Sequence, residues 1–302
     1  MKTNKLRSEM HKEARKLAGA SVGIPPRHMD FSHLAKTPRY FYRDNATITT
    51  FLAMLSSIFP PGERFFVESV RHYRNQITDP TLKAEVSGFI GQEAIHGREH
   101  ERLNEILKER NIDTRVPEAA VAAALKLLAK LPPSTQLACT TFMEHFTALL
   151  GEALLTDTDF VGNFDPEMLQ LWQWHALEEV EHKNVAYDVY ELIGNSHLER
   201  HIASLLVVAA VAPAAIFGWV YLLAREGKLT DLRDVSMGLT SLFGKRGFVS
   251  RIIRKIPLFT AKSFHPNKHD TQPLAEQWRD ILFGENGELN HALKNAAALG
   301  IV

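Results

Sequence analysis

Residues 91–96 read Gly91-Gln92-Glu93-Ala94-Ile95-His96, and residues 178–182 read Glu178-Glu179-Val180-Glu181-His182. Each stretch holds a Glu-x-x-His, Glu93 with His96 and Glu179 with His182. Residues three apart share a helix face, so each motif can offer a carboxylate and an imidazole to one metal ion. One such motif arises by chance in long helices. Two, each preceded by a helix carrying a suitably placed glutamate, are the ligand plan of a di-metal carboxylate four-helix bundle.

Working outward, the chain reads as all-α, since hairpin signals and alternating strand patterns are scarce. Residues 1–45 form a polar lead-in, interrupted by Pro25-Pro26. A short helix is expected over about 46–58, ended by Pro60-Pro61, and a new helix starts there. Thr78-Asp79-Pro80 marks the turn into a helix over about 80–110. A linking helix over 117–130 and a long apolar one over 134–156 follow. A loop at Asp157–Asp165 leads into a helix that Asp165-Pro166 opens and Gly194-Asn195 stops. The metal-binding bundle is thus placed at 46–200, and an apolar helix with a basic tail at 201–302.

Register selects the partner glutamates. Antiparallel helices bring together residues about equally far from their connecting turn. Glu93 lies 15 residues beyond Thr78, and Glu63 lies 15 before it. Glu179 lies 18 residues beyond Val161, and Glu144 lies 17 before it. Glu68 and Glu152 sit more than a turn off that level and are expected at solvent or around the ligands. His175 lies four before Glu179 and extends the motif to His-x-x-x-Glu-x-x-His, as a third imidazole ligand. The expected metal set is therefore Glu63, Glu93, His96, Glu144, His175, Glu179 and His182, with Glu63, Glu144 and His175 nearest the chemistry. His100, His72 and His145 are further candidates, with a supporting hydrogen-bonding role as the ordinary reading of each. Arg98, Glu99, Glu101, Glu178 and Glu181 are expected as salt-bridged groups on helix surfaces, and Trp172 and Trp174 as packing.

Composition narrows the function. Lys plus Arg and Asp plus Glu are 35 each, which gives no sign of nucleic-acid binding. The single cysteine, Cys139, excludes an intrachain disulfide and fits a cytoplasmic location. The polar, basic N-terminus is no secretory signal. Ile202–Ala224 runs 23 residues without a formal charge, enough to cross a bilayer or to pack as a buried helix on the bundle. The tail from Gly244 to Asp270 mixes Arg and Lys with Phe, Ile and Leu, a composition suited to the inner, anionic face of a membrane.

Residues 59–104, from Phe59-Pro60-Pro61-Gly62-Glu63 to Asn104, together with 171–190 and the Ser263-Phe264-His265-Pro266-Asn267-Lys268-His269-Asp270 stretch, resemble the bacterial family of predicted metal-dependent hydrolases. The resemblance covers most of residues 50–270. It implies a ferritin-like fold, metal dependence and hydrolysis. The His175, Glu179, His182 spacing is also similar, locally, to that of di-iron N-oxygenases acting on aryl amines, in which such a third histidine binds iron. Glutamate and imidazole suit iron or manganese better than thiolate-preferring metals. Two iron ions are therefore the expected cofactor, with manganese or zinc as alternatives. The primary expectation is a dioxygen-dependent oxidase or oxygenase for a small or lipid-like hydrophobic substrate, which would also need an electron donor. The alternatives are a metal-dependent hydrolase and a non-catalytic iron-binding protein. A membrane surface and a second copy of the chain are the other partners considered. No nucleophile elbow, phosphate loop or Cys-His pair is present to suggest another chemistry.

Overall fold

The computed structural model describes residues 18–299. The start of the polar lead-in and the last three residues of the tail lie outside it. Among the described residues the protein is all-α, with only two isolated bridges, Met29 to Leu293 and Tyr42 to Phe164. Four long helices surround the residues singled out above: α1 (Ala46–Arg71), α2 (Pro80–Glu109), α4 (Pro133–Thr156) and α5 (Pro166–His182), with α3 (Arg115–Leu128) linking the two pairs. Side-chain caps start several of them. Asn45 accepts from Ile48 N, Asp79 from Leu82 N, and Asp165 from Glu167 N and Met168 N.

Pro60 and Pro61 do not break the first helix; they lie inside α1. A proline deprives the carbonyl four residues earlier of its N–H partner. Here Asn104 Nδ2 of α2 donates to Ser56 O at 3.3 Å and replaces the donor that Pro60 lacks. The expected helix over 166–193 is instead two, α5 and α6 (Val185–Leu192), separated by Lys183 and Asn184 just after His182.

The apolar core is split into two layers. One contains Ile48–Leu55 of α1, Leu103 and Leu107 of α2, Leu149–Leu155 of α4 and Leu171–Leu177 of α5. The other contains Phe65, Phe66 and Val70 of α1, Val86 and Phe89 of α2, Leu137–Met143 of α4, and Val185–Tyr190 of α6. Opposite ends of α1 and α2 share a layer, as antiparallel neighbours must. Glu63, Glu93, Glu144 and Glu179 fall at the boundary between the layers.

Beyond the four helices, α7 (His197–Arg225) lies against α1, α3 and α4. It is long and apolar enough to cross a membrane. Ala203, Val207, Gly218 and Leu222 nevertheless face protein, and Trp219 Nε1 donates to Thr47 O at 3.0 Å. The helix is thus packed along the bundle on one side. Helices α8 (Leu232–Phe243), α9 (Phe248–Lys255) and α10 (Gln272–Phe283) complete the fold.

Candidate metal centre

Seven buried side chains from α1, α2, α4 and α5 converge between the two apolar layers. Their ligand atoms form two groups, Glu63 with His96 and His175, and Glu93 with Glu144, Glu179 and His182. Glu179 joins the groups. Its Oε1 lies 2.8 Å from His175 Nε2 and 3.6 Å from His96 Nδ1, while its Oε2 lies 3.6 Å from His182 Nε2. His182 Nε2 also lies 3.1 Å from Glu93 Oε1 and 3.6 Å from Glu144 Oε2. The two residues of the first motif fall in different groups. Glu93 turns to the second group and His96 to the first, because α2 faces two helices at once at this level.

Room for these side chains comes from two glycines. A Cβ on Gly97 would stand 3.0 Å from Glu63 Oε2. One on Gly151 would stand 2.7 Å from Ala176 O and 3.3 Å from Glu179 Cβ, so α4 and α5 approach closely because position 151 has no side chain.

The hydrogen bonds around the centre determine where each imidazole carries its proton, an assignment from the network. Gln92 Nε2 donates to Glu181 Oε2 at 3.0 Å and to Pro25 O at 3.2 Å. Its Oε1 is then the acceptor, 2.9 Å from His182 Nδ1, so His182 Nδ1 holds a hydrogen and, in the neutral ring, Nε2 is bare. Glu178 Oε1 accepts from Arg27 at 2.9 Å and from Trp174 Nε1 at 3.0 Å. Its Oε2 takes the N–H of His96 Nε2 at 2.9 Å, which leaves His96 Nδ1 bare. Asn104 gives its N–H to Ser56 O, so its Oδ1 accepts from Ser56 Oγ at 2.8 Å. Ser56 Oγ accepts from His100 Nδ1 at 3.0 Å, and His100 Nε2 accepts from His175 Nδ1 at 2.7 Å. In the neutral ring that chain leaves His175 Nε2 without a hydrogen, 2.8 Å from Glu179 Oε1 and 3.8 Å from Glu63 Oε1.

Three imidazole lone pairs thus point at four carboxylates. Both oxygens of Glu63, Glu93 and Glu144, Oε2 of Glu179, Nδ1 of His96 and Nε2 of His182 are buried without a hydrogen-bond partner. Leaving such groups unpaired costs several kcal/mol in total. Cations resolve the conflict. Neighbouring donors about 2.1 Å from a six-coordinate ion are about 3 Å apart, close to the shorter separations found here. The donor set fits a metal centre.

Without a cation the carboxyls and imidazoles titrate against one another: burial opposes charge on His182, yet Glu179 beside it raises that imidazole well above its ordinary range. Burial, then the charge of Glu93, pushes Glu63 and Glu144 well above the usual carboxylate range. Burial raises Glu93 to about 7 against the pull of His182. Burial also opposes charge on Glu179, yet His182 and His175 beside it hold its carboxyl well below the ordinary value. Burial and the neighbouring His175 keep His96 and His100 neutral.

Some expectations change. Glu178 and Glu181 are not surface groups. Their side chains are fully covered, because Arg27 from the lead-in bonds both and Arg279 of α10 bonds Glu181 at 3.0 Å. Arg27 itself was not a sequence candidate, since nothing local marks a residue whose partners lie some 150 positions away. Gln92 was missed likewise. Its position next to Glu93 was the available signal. Glu99 is buried too, paired with Arg98 and Arg102, whereas Glu101 pairs with Arg64 at the surface. His100 touches His175 and belongs to neither ligand group. His72 is exposed at the end of α1, and His145 packs against Phe259 and Phe264 away from the centre. Glu68 bonds Arg71 at the surface, and Glu152 bonds Lys255 and His269. Trp172 and Trp174 are packed in the core. His265 of the 263–270 stretch meets Asp188 at 2.9 Å outside the centre, and Asp270 is exposed.

A cavity of about 370 Å³ reaches the centre from the side of α7 and α9. Its wall is apolar except at Glu63 and Thr147. A smaller recess, lined by Phe59, Gly151, His175 and Glu179, adjoins the first group.

A family model described as predicted metal-dependent hydrolase matches residues 25–270, a span holding Arg27 and all seven converging residues. No curated protein matches the chain, and no solved structure does.

Proposed function

The chain belongs to the family of predicted metal-dependent hydrolases, and on that premise we propose that it is a hydrolase with a centre for two cations, acting on a hydrophobic substrate. One observation carries the reading: three imidazoles, each held through its outer nitrogen by a hydrogen bond, converge on four buried carboxylates from four helices. When bound, two close cations supply Lewis acidity and a water of lowered pKa. Glu63, His96 and His175 would hold one, Glu93, Glu144 and His182 the other, and Glu179 would span both.

The chain's own groups do the rest. Among the described residues Glu63 is the only carboxylate lining the apolar cavity, so a substrate meets the centre beside it. His175 adjoins the same region through Phe59. Its Nδ1 donates to His100 Nε2, and His100 Nδ1 donates to Ser56 Oγ, which fixes the ring with Nε2 toward the centre. Glu144 lines neither space and serves as a ligand. The cavity wall excludes water from the substrate's apolar part and orients its reactive end.

A second reading is a dioxygen-dependent oxidase with two iron ions in a ferritin-like bundle. The donor set favours it: four glutamates and three histidines from four helices, without aspartate. One experiment separates the two. Purified protein is analysed for metal, then assayed with aliphatic esters and amides, with and without dioxygen. The hydrolase turns over anaerobically, loses activity to a chelator, regains it with added metal, and is inactive as Glu179→Ala. Turnover that requires dioxygen and a reductant supports the oxidase instead. Protein that retains no metal under any loading sinks both.

A further inference from the structure

The cavity that ends at Glu63 has its mouth at the surface. Four residues line the cavity and are also exposed: Val208 51%, Ile216 60%, Phe243 42% and Ile253 51%. Its rim is therefore wholly apolar, which is costly to leave in water. The patch does not stop there. Along α7, Leu198, Ile202, Leu205, Phe217 and Val220 are exposed too, forming a continuous apolar stripe beside the mouth.

The segment that carries the rim residues Phe243 and Ile253 is charged in one sign only. From Val235 to His269 the sequence has seven Lys and Arg and no Asp or Glu. Lys245, Arg246, Arg254 and Lys262 are exposed, and none pairs with a carboxylate among the described residues. Lys245 and Arg246 follow the rim residue Phe243 directly in the chain, and Arg254 follows the rim residue Ile253. Apolar side chains flanked by unpaired cations are complementary to an anionic lipid surface, where buried apolar area and headgroup attraction add. The packing of α7 against α1, α3 and α4 leaves only one of its sides free to meet lipid.

We propose that the mouth between α7 and α9 rests on an anionic bilayer, and that the cavity takes the acyl chain of a membrane lipid directly from that layer. The reading rests on the metal centre only for what happens at the cavity's inner end. An acyl chain enters past Ile216 and Ile253 and lies along the apolar wall, which ends at Glu63. Basic residues at the rim hold the protein against the headgroups of the surrounding lipids.

The test is co-sedimentation of full-length, metal-loaded protein with large vesicles of phosphatidylcholine alone or of phosphatidylcholine with phosphatidylglycerol, without any substrate assay. The expected result is binding to the anionic vesicles that weakens with salt, and little binding to the zwitterionic ones. K245Q/R246Q/R254Q should reduce partitioning roughly 100-fold. I216E/I253E should abolish it, with circular dichroism and bound metal unchanged. Absence of binding, equal binding to both vesicle types, or binding unaffected by I216E/I253E overturns the proposal. So does a soluble dimer that I216E/I253E dissociates while the wild type ignores vesicles, because a second copy would then cover the patch. The two readings fail separately. Protein that hydrolyses soluble esters but ignores vesicles refutes only the docking, and protein that binds vesicles but never retains metal refutes only the hydrolase.

Discussion

Arg27 Nη1 lies 2.9 Å from Glu178 Oε1, although 151 positions separate the two residues in the chain. Both side chains are fully buried, and Glu178 passes the contact on to His96. The lead-in segment therefore sets the orientation of a candidate metal ligand. Removing the cation leaves Glu178 buried without its ion partner. Arg27→Ala should destabilise the protein by about 3–5 kcal/mol, at the lower end because Arg279 still serves Glu181. Urea unfolding of the two proteins measures this, and a loss under about 1 kcal/mol would contradict the assigned role.

Gln92 is a milder case, since its side chain orients His182 without carrying charge. Gln92→Leu removes the acceptor for His182 Nδ1–H and frees the ring to rotate. Metal affinity should fall about 10–100-fold, as it does when the outer partner of a metal-bound histidine is lost. Competition with a chromophoric chelator reads the change directly, and unaltered affinity would show that His182 is held by something else.

The close approach of α4 and α5 makes Gly151 sensitive. In Gly151→Ala the new Cβ meets Ala176 O at 2.7 Å, so the helices must separate at the level of Glu179. About 1–3 kcal/mol of stability should be lost, with weakened metal retention. Gly62→Ala is the control, because its Cβ finds nothing nearer than Phe66 at 4.0 Å. Alanine in a helix is favoured over glycine by about 1 kcal/mol, so that change should be neutral or stabilising. Thermal melts of both variants, with metal and without, test the pair.

Protonation gives a prediction of definite sign. Glu93 titrates at about 7 in the folded, metal-free protein, above its ordinary unfolded value. A raised carboxyl binds its proton more tightly in the folded state, so metal-free stability falls as pH rises from the ordinary carboxylate range to about 7. Metal must displace that proton. Its affinity should rise about tenfold per pH unit for each proton released, and the share of that rise due to Glu93 ends above about pH 7. The gap in melting temperature between loaded and metal-free protein should therefore widen from pH 5 to pH 7. A gap that stays constant or narrows would show that Glu93 is not among the groups the metal displaces.

Much of the centre is legible in the chain because helix geometry is local. Three-residue spacing puts Glu93 with His96, and Glu179 with His182, on shared faces whatever surrounds them. The turn near Thr78 then sets Glu63 level with Glu93, and the loop near Val161 sets Glu144 level with Glu179, because antiparallel neighbours count from a common origin. Those residues do lie together between the two apolar layers. Identity and spacing alone determined that much: an all-α protein with seven acidic and imidazole groups at one depth.

What only the tertiary structure decided depends on partners remote in sequence. Pro60 and Pro61 look like a stop until Asn104 supplies the missing donor from another helix. Glu178 and Glu181 look like surface charges until Arg27 and Arg279 arrive from opposite ends of the chain to cover them. Glu93 leaves its own motif's histidine for His182 because α2 faces two helices at once. Burial, ion pairing and the choice among neighbours are properties of assembled surfaces. Local spacing determines which face of a helix a side chain occupies, and only packing determines what that face meets.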